Sequence, residues 1–108
     1  MNEPDLKTLV EHLRKHLGDR LDAVVLFGSR ARGEATGESD WDLLIIVEGL
    51  PRSPLARKRL WLSIVPREWR TRASPLLRTP EEWYGRVMPL SLDIALDGRV
   101  LYDARGRM

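Results

Sequence analysis

Apolar residues recur with two different periods along the chain, and the change of period predicts helices and strands. Near the start, leucine and valine return every three or four residues and so share one helical face: Leu6, Leu9, Val10, Leu13 and Leu17. Asn2 is the candidate N-cap of this helix, and Gly18 is its candidate stop. Two short, dense apolar runs follow at 21–27 and 41–47, and their length predicts buried strands.

The second half of the chain carries clear start signals. Ser53-Pro54 predicts the beginning of a second helix, because a hydroxyl cap is followed by proline at the first helical position. Residues 70–78 predict a third strand, which Pro75 restricts to a sheet edge or a bulge because proline donates no ladder hydrogen bond. Thr79-Pro80 with Glu82 reads as a capping box and predicts a third helix through Trp83 and Val87.

The region before Gly98 fits two structures. Leu92, Ile94 and Leu96 alternate with polar or small residues, which favours a strand followed by a turn at Asp97-Gly98. A helix ending at Gly98 fits the same residues less well. The order of elements predicts an α/β or α+β fold with a mixed sheet, and the length of 108 residues predicts a single domain over 1–108.

Composition excludes several classes of protein. There is no cysteine, so disulfides and thiolate metal sites are excluded. No apolar run approaches the roughly 18 residues that a membrane span needs. The first residues are polar and acidic, unlike a signal peptide, so we expect a cytoplasmic protein without membrane attachment.

Charge is distributed unevenly. Residues 34–48 contain five acids and no base, whereas residues 52–78 contain eight bases and one acid. An acidic segment beside a basic one suits a site that holds divalent cations and phosphates together, although a solvated helix face is the favoured explanation of charge runs in general. Binding of nucleic acid by the basic segment ranks last, because the acidic segment opposes it.

The candidate chemistry lies at the ends of the two predicted strands. Asp40 and Asp42 are two residues apart, so strand alternation directs both carboxylates to one face, with Cβ atoms roughly 6 to 7 Å apart. Carboxylates in that arrangement can hold Mg²⁺. Gly28 and Ser29 follow the first strand, where backbone N–H groups and a hydroxyl can bind phosphate, and Arg30 can add positive charge.

Gly28-Ser29, ten further residues and then Asp40-Trp41-Asp42 resemble the signature of polymerase-β-like nucleotidyltransferases. The fuller string GSRARGEATGESDWDLLIIV is similar to the minimal nucleotidyltransferases of bacteria and archaea, and the resemblance is strong over 5–47. It implies that fold, with a mixed sheet of three to five strands and helices packed on it. It also implies transfer of a nucleoside monophosphate, AMP from ATP or another nucleoside triphosphate, to a hydroxyl of a protein or other acceptor.

The resemblance implies roles for individual residues as well. Asp40 and Asp42 would hold two Mg²⁺ ions, and Gly28 and Ser29 would contact the β- and γ-phosphates. The family's third carboxylate is missing from 71–77, where Ser74 falls near its expected place. Asp93 is the remaining candidate for a catalytic residue and metal ligand, unless it is a solvent-facing strand residue or caps a nearby turn.

Two functions therefore stay open at this point. One is an active enzyme, in family terms the antitoxin that acts on a HEPN-domain protein encoded nearby. The other is a catalytically impaired nucleotide- or metal-binding module that acts by binding a partner. The nucleotide, the acceptor and the oligomeric state are left open.

The histidines and tryptophans are predicted to have structural rather than chemical roles. His12 and His16 are spaced for a metal on the first helix, but surface or packing roles are favoured because no third ligand is near. The four tryptophans are assigned mainly to the core or to a partner interface. Trp69 is expected to be the exposed one, since it follows Pro66 outside regular structure.

Overall fold

Four strands form one mixed sheet at the centre of the fold. They are β1 (Leu21–Phe27), β2 (Trp41–Val47), β3 (Ala73–Arg78) and β4 (Arg99–Asp103), in the spatial order β3-β2-β1-β4. β1 is antiparallel to β2 and to β4, whereas β2 and β3 are parallel. The computed structural model describes residues 5–36, 39–85, 94 and 98–106. The predicted α/β fold with a mixed sheet is confirmed within those ranges.

Helices connect and cover the strands. They are α1 (Leu6–Leu17), α2 (Ser29–Arg32), α3 (Pro54–Ile64) and α4 (Pro80–Tyr84), with single 3₁₀ turns at Gly18–Arg20 and Arg67–Trp69. Within the described ranges, no helix has the length and apolar character that a bilayer crossing requires.

The sheet buries apolar side chains on both faces. One face packs against α1 and α3, because Leu43 and Ile45 of β2 join the cluster that contains Leu13 and Trp61. On the opposite face, the described residues form a smaller cluster of Ala23, Val25, Leu44, Ile46 and Ile94, with Phe27, Leu76 and Trp83 at its margin. Burial on both faces explains why β1 and β2 are continuous apolar runs in the sequence.

Capping residues set the ends of the helices. Asp5 caps α1, since its Oδ1 accepts hydrogen bonds from the N–H groups of Lys7 (3.0 Å) and Thr8 (3.3 Å). The prediction of Asn2 as this cap was wrong for the helix that begins at Leu6, and Asn2 itself lies outside the described residues. Gly18 ends α1 with a positive φ of 55°, as predicted.

The predicted starts of α3 and α4 are confirmed. Ser53 caps α3 and Pro54 is its first residue. Thr79 and Glu82 form the reciprocal capping box of α4, with Glu82 Oε1 accepting from the N–H of Thr79 at 2.9 Å. The helix is described as far as Tyr84, and Val87 lies outside the described ranges.

β3 is an edge strand, as Pro75 predicted. The backbone groups of alternate residues in this segment form hydrogen bonds with β2. The first is Arg72, whose carbonyl accepts from the N–H of Trp41 at 2.8 Å. Alternation then directs the backbone groups of Pro75 and Leu77 away from β2. Proline is accommodated here because its missing N–H falls on the side without a neighbouring strand.

The strand predicted over 92–96 is wrong at Ile94, the residue of that stretch that the structure describes. Ile94 is helical, and its carbonyl accepts from the N–H of Gly98 at 2.7 Å. Gly98 lies so close to β1 that a Cβ there would approach Val25 Cγ1 to 2.8 Å. The less favoured helical alternative therefore applies at Ile94, and β4 pairs with β1.

The expected exposure of Trp69 is also wrong. Its side chain is 2% exposed, and its ring packs edge-on against Trp41 with centroids 5.9 Å apart. The 3₁₀ turn Arg67–Trp69 folds the indole back into the core between α3 and β3, an effect that the local sequence did not reveal.

Candidate functional site

The predicted site residues meet where β1 ends and β2 begins. Asp42 is the second residue of β2, and Asp40 immediately precedes that strand. Phe27, the last residue of β1, pairs in register with Asp42. Because the strands are antiparallel, Gly28 and Ser29 continue from β1 directly beside the two aspartates.

Gly28 and Asp42 are in intimate contact. Gly28 has φ 75° and ψ −157°, and a Cβ built on it would overlap Asp42 Oδ2 and lie 3.2 Å from Asp42 Cγ. Only glycine combines this backbone conformation with this approach. The site therefore requires glycine at 28 for two separate reasons.

α2 begins at Ser29 and lasts little more than one turn. The carbonyl of Gly28 accepts hydrogen bonds from the N–H groups of Ala31 (3.1 Å) and Arg32 (3.2 Å). Gly33 then ends the helix with φ 74°. The N–H groups of a first helical turn have no partner within the helix, so Ser29 occupies a position suited to an anionic ligand.

Arg30 connects α2 to the start of β2. Its guanidinium donates to the carbonyl of Ser39 from Nη2 (2.8 Å) and Nε (3.3 Å), and its Cζ lies 4.3 Å from the centre of the Trp41 ring. These two contacts bracket Asp40 in the sequence. The predicted role of Arg30 at phosphate stays a prediction, whereas its contacts here hold the backbone on either side of Asp40.

Electrostatics at the site disfavour a charged Asp42. Burial, and then the negative charge of Asp40, raise the pKa of the Asp42 carboxyl above its ordinary value, while Arg32 acts weakly in the opposite direction. A bound cation would relieve both causes. The pair of hard oxygen ligands therefore fits a divalent metal.

Within the described ranges, no third carboxylate joins this pair in a metal-binding cluster. Ser74 of β3 pairs in register with Asp42, and residues paired across two strands direct their side chains to the same face. A hydroxyl thus lies where another acid would complete a metal site. No cluster of three or more potential metal ligands occurs among the described residues, and Asp93 lies outside them. The rings of His12 and His16 lie 4.5 Å apart between centroids, tilted by 47°, and belong to no such cluster in those ranges.

A groove that the sequence did not predict lies on the β3 side of Asp40. We call it the α3–β3 groove, and its volume is about 460 Å³. Its lining comes from Asp40, Pro54, Arg57, Lys58, Trp61, Leu62, residues 70–71 and residues 73–78. The only sequence signal for the groove was the excess of basic residues over 52–78. That excess indicated a positively charged surface but not that the surface is concave.

A buried acid was also missed. Asp22 is fully buried in β1, and it is the one buried charged residue of the described ranges. Its carboxylate accepts from Arg105 Nη1 (2.8 Å) and from the hydroxyl of Tyr84 (3.2 Å), and Arg105 also bonds Glu48 at 2.8 Å. Asp22 lies near the start of β1, far along the strand from Gly28. This network therefore has a structural role, although an acid inside an apolar run was a visible signal.

Comparison with known proteins identifies the family. Residues 6–99 match the family described as the nucleotidyltransferase domain. A protein of Methanocaldococcus jannaschii, provisionally named a protein adenylyltransferase, is 31% identical over 102 residues, which are 91% of this chain and 69% of the relative.

Solved structures share the fold. A structure from Sulfolobus solfataricus, provisionally described as a nucleotidyltransferase, has a TM-score of 0.65 at 23% identity and covers 93% of this chain and 78% of its own. A complex of the tri-AMPylated Shewanella oneidensis HEPN toxin with the MNT antitoxin has a TM-score of 0.54 at 15% identity, covering 90% of this chain and 69% of the matched chain. The family match over residues 6–99 and the 31% identity to the M. jannaschii relative show that the chain belongs to the nucleotidyltransferase domain family.

Proposed function

We propose that this nucleotidyltransferase transfers AMP from ATP to a hydroxyl group of a partner protein, with Mg²⁺ bound by Asp40 and Asp42. The observation that carries the proposal is the pairing of Phe27 with Asp42, which puts the backbone of Gly28 against the Asp42 carboxylate. The reaction requires a phosphate-binding position next to acidic metal ligands. The end of β1 and the start of β2 meet this requirement because they are neighbours in the sheet.

The proposed reaction is balanced without another reactant. The acceptor oxygen attacks the α-phosphorus of ATP, a new P–O bond forms, and the bond from that phosphorus to the oxygen bridging the β-phosphate breaks. Pyrophosphate leaves, and the hydroxyl proton passes to water. The chain contributes position and charge, which account for most of catalysis in phosphoryl transfer.

Asp40 and Asp42 are the proposed metal ligands, and Asp93 is the proposed third. The raised pKa of Asp42 supports a site in which a cation replaces carboxylate repulsion. Ile94, the neighbour of Asp93, packs with Leu44 and Ile46 on the face of β2 to which Asp42 also belongs by alternation. Bound Mg²⁺, two ions by the family resemblance, would supply positive charge against the triphosphate oxygens.

Gly28 and Ser29 are the proposed contacts of the β- and γ-phosphates. The missing side chain of Gly28 lets a ligand approach the backbone closely, and the hydroxyl and N–H of Ser29 begin a helical turn. Arg30 supports this arrangement by holding Ser39 and Trp41. A direct contact of Arg30 with phosphate remains part of the proposal.

The nature of the acceptor is proposed from the relatives. The M. jannaschii relative is named for protein adenylylation, and the S. oneidensis complex contains an AMPylated HEPN toxin beside its antitoxin. By extension, this chain would be the antitoxin half of a HEPN/MNT pair in the cytoplasm. Its acceptor would be a HEPN-domain protein encoded nearby.

Label transfer tests the proposal. The chain and the neighbouring protein are incubated with Mg²⁺ and ATP labelled at the α-phosphate, and we expect label on the neighbour. Asp40→Asn and Asp42→Asn should each reduce the initial rate at least a hundredfold, because each removes a metal ligand. Asp19→Asn, which removes an exposed acid outside the site, is the matched control. Equal labelling by all three variants would overturn the assignment of the site.

The second candidate function is a binding module without catalysis. Ser74 favours it, because a hydroxyl stands beside Asp42 where a third acid would complete the site. In that case the chain would bind the neighbouring protein with unchanged affinity in Asp40→Asn and Asp42→Asn, and no label would be transferred. Comparing binding with transfer in the same samples separates the two functions.

A further inference from the structure

The α3–β3 groove lies on the side of Asp40 opposite the candidate phosphate contacts. β2 carries the aspartates between two neighbours, β1 with Gly28 after its end and β3 with Ser74. The groove is lined by β3 and α3, and Asp40 belongs to its wall. In phosphoryl transfer the attacking and leaving oxygens lie roughly in line on opposite sides of phosphorus. If pyrophosphate leaves on the Gly28 side, the acceptor arrives from the groove side.

Two exposed cations in the groove wall form no ion pair within the described residues. Lys58 and Arg70 are exposed, and neither has an ion-pair partner among the residues that the structure describes. Arg57 differs, because its Nη1 and Nη2 bond Glu82 at 2.9 and 3.1 Å. That contact is the main reason why the pKa of Glu82 is lowered to about 2. Arg78, half-buried in the same wall, donates to the carbonyl of Leu77. The exposed positive charge of the groove therefore lies chiefly on Lys58 and Arg70.

The backbone edge of β3 is closed to an added strand. Pro75 has no N–H to offer, and the outward carbonyl of Leu77 already accepts from Arg57 Nη1 (3.2 Å) and Arg78 Nη1 (2.8 Å). A peptide in the groove would therefore be held through side chains rather than by β-sheet extension. Leu62, 43% exposed on the groove wall, gives such a peptide an apolar contact.

The groove is poorly suited to single-stranded nucleic acid. Base-stacking sites need exposed aromatic rings. Trp61 in the groove is 3% exposed, and its neighbours Trp41 and Trp69 are 6% and 2% exposed. Cations with an apolar wall and no open aromatic face favour an acidic protein segment.

We propose that the α3–β3 groove is the docking site of the acceptor, an acidic segment of a partner protein that presents a Ser, Thr or Tyr hydroxyl to Asp40 from the side opposite Gly28. The inference rests on the proposed function and adds to it the direction of approach and the charge of the acceptor. Lys58 and Arg70 would hold the acidic residues that flank the hydroxyl.

Peptide binding to the full chain tests the groove. The probe is a fluorescein-labelled decapeptide of alternating Glu and Tyr, compared by fluorescence anisotropy with a Lys-Tyr decapeptide and a ten-nucleotide RNA. We expect the acidic peptide to bind best. Its Kd should rise at least tenfold in the double variant Lys58→Glu/Arg70→Glu, since attraction becomes repulsion. Lys7→Glu/Lys15→Glu changes the net charge equally on α1 and should leave the Kd within about twofold.

The outcomes separate this inference from the proposed function. Binding of Mg-ATP is measured on the same variants, and an unchanged nucleotide Kd in the groove variant supports a separate acceptor site. Tighter binding of the RNA, equal peptide binding by both double variants, no peptide binding at all, or loss of nucleotide affinity in the groove variant would each overturn it. If the unmodified chain binds the peptide but transfers no label, the proposed function fails, while the groove's assignment as a docking site for an acidic segment of a partner protein stands. Thermal unfolding checks that both double variants are folded, and Lys58→Gln/Arg70→Gln replaces the charge reversal if they are not.

Discussion

Asp42 and Ser74 lie opposite each other across the parallel β2–β3 pair, so a carboxylate and a hydroxyl share one face of the sheet. Replacing the hydroxyl with a carboxylate should convert this pair into a stronger cation site. Without metal, Ser74→Asp should destabilise the chain by about 0.2–1 kcal/mol, because like charges directly opposite repel. With Mg²⁺, its thermal midpoint should rise more than that of the unmodified chain.

Thermal unfolding in EDTA and in Mg²⁺ measures both effects. Ser74→Asn is the control, because it has similar size and adds no charge. An equal Mg²⁺-induced rise in Ser74→Asp and Ser74→Asn would show that this position does not contribute to the cation site.

The contact between Gly28 and Asp42 predicts an effect on both stability and activity. Gly28→Ala must accept an unfavourable positive φ and displace the Asp42 carboxylate, so we expect a loss of about 2–4 kcal/mol in the free energy of unfolding and loss of label transfer. Gly33→Ala has a nearly identical φ of 74° but no atom within 4 Å of its Cβ, so it should lose only about 1 kcal/mol. Comparing the two variants by urea unfolding separates the cost of the steric overlap with Asp42 from the cost of the positive φ, which both variants share. Equal losses would mean that the carboxylate moves aside freely.

Arg30 can be tested for its two roles separately. Arg30→Lys keeps the positive charge but loses the flat guanidinium that covers Trp41 and bonds Ser39 twice. If holding the backbone around Asp40 is the main role, kcat should fall about tenfold in Arg30→Lys, with little change in KM for ATP. Steady-state kinetics measures this split. Near-normal kcat in Arg30→Lys together with a raised KM in Arg30→Ala would favour direct contact with phosphate.

The pKa of Asp42 predicts a pH dependence of stability. Because burial and Asp40 raise this pKa in the folded chain, the ionised carboxylate subtracts stability at neutral pH, and the penalty vanishes as the pH falls below the ordinary value of 3.8. Asp42→Asn should therefore be more stable than the unmodified chain at pH 7 in EDTA. Near pH 3 the two should unfold alike, since the carboxyl is then protonated in both states. A stability difference independent of pH would contradict this origin.

Local signals in the sequence predicted much of the fold. The stripe that ends at Leu17, the cap at Ser53 and the box at Thr79 each depend on neighbours a few residues away, and each is present in the structure. Pro75 also predicted the edge position of β3, because a single residue without an N–H is enough to disfavour a central strand.

The wrong predictions concern residues whose structure depends on contacts with distant parts of the chain. Trp69 is buried by packing against Trp41, twenty-eight positions earlier, which local pattern does not encode. Ile94 alternates like a strand residue, yet its apolar partners lie on β1 and β2, so a helical turn buries it equally well. At the site, the spacing of Asp40 and Asp42 predicted a shared face. The register that joins them to Gly28 and Ser74 came only from the sheet.

The closed edge of β3 has a consequence for self-association. An open edge strand is a template on which a second copy can stack and start a growing aggregate. Pro75 removes one donor there, and Arg57 and Arg78 occupy the acceptor at Leu77, so successive copies find no continuous ladder to extend. The same three residues that shape the groove thereby protect this edge against polymerisation when the chain is crowded.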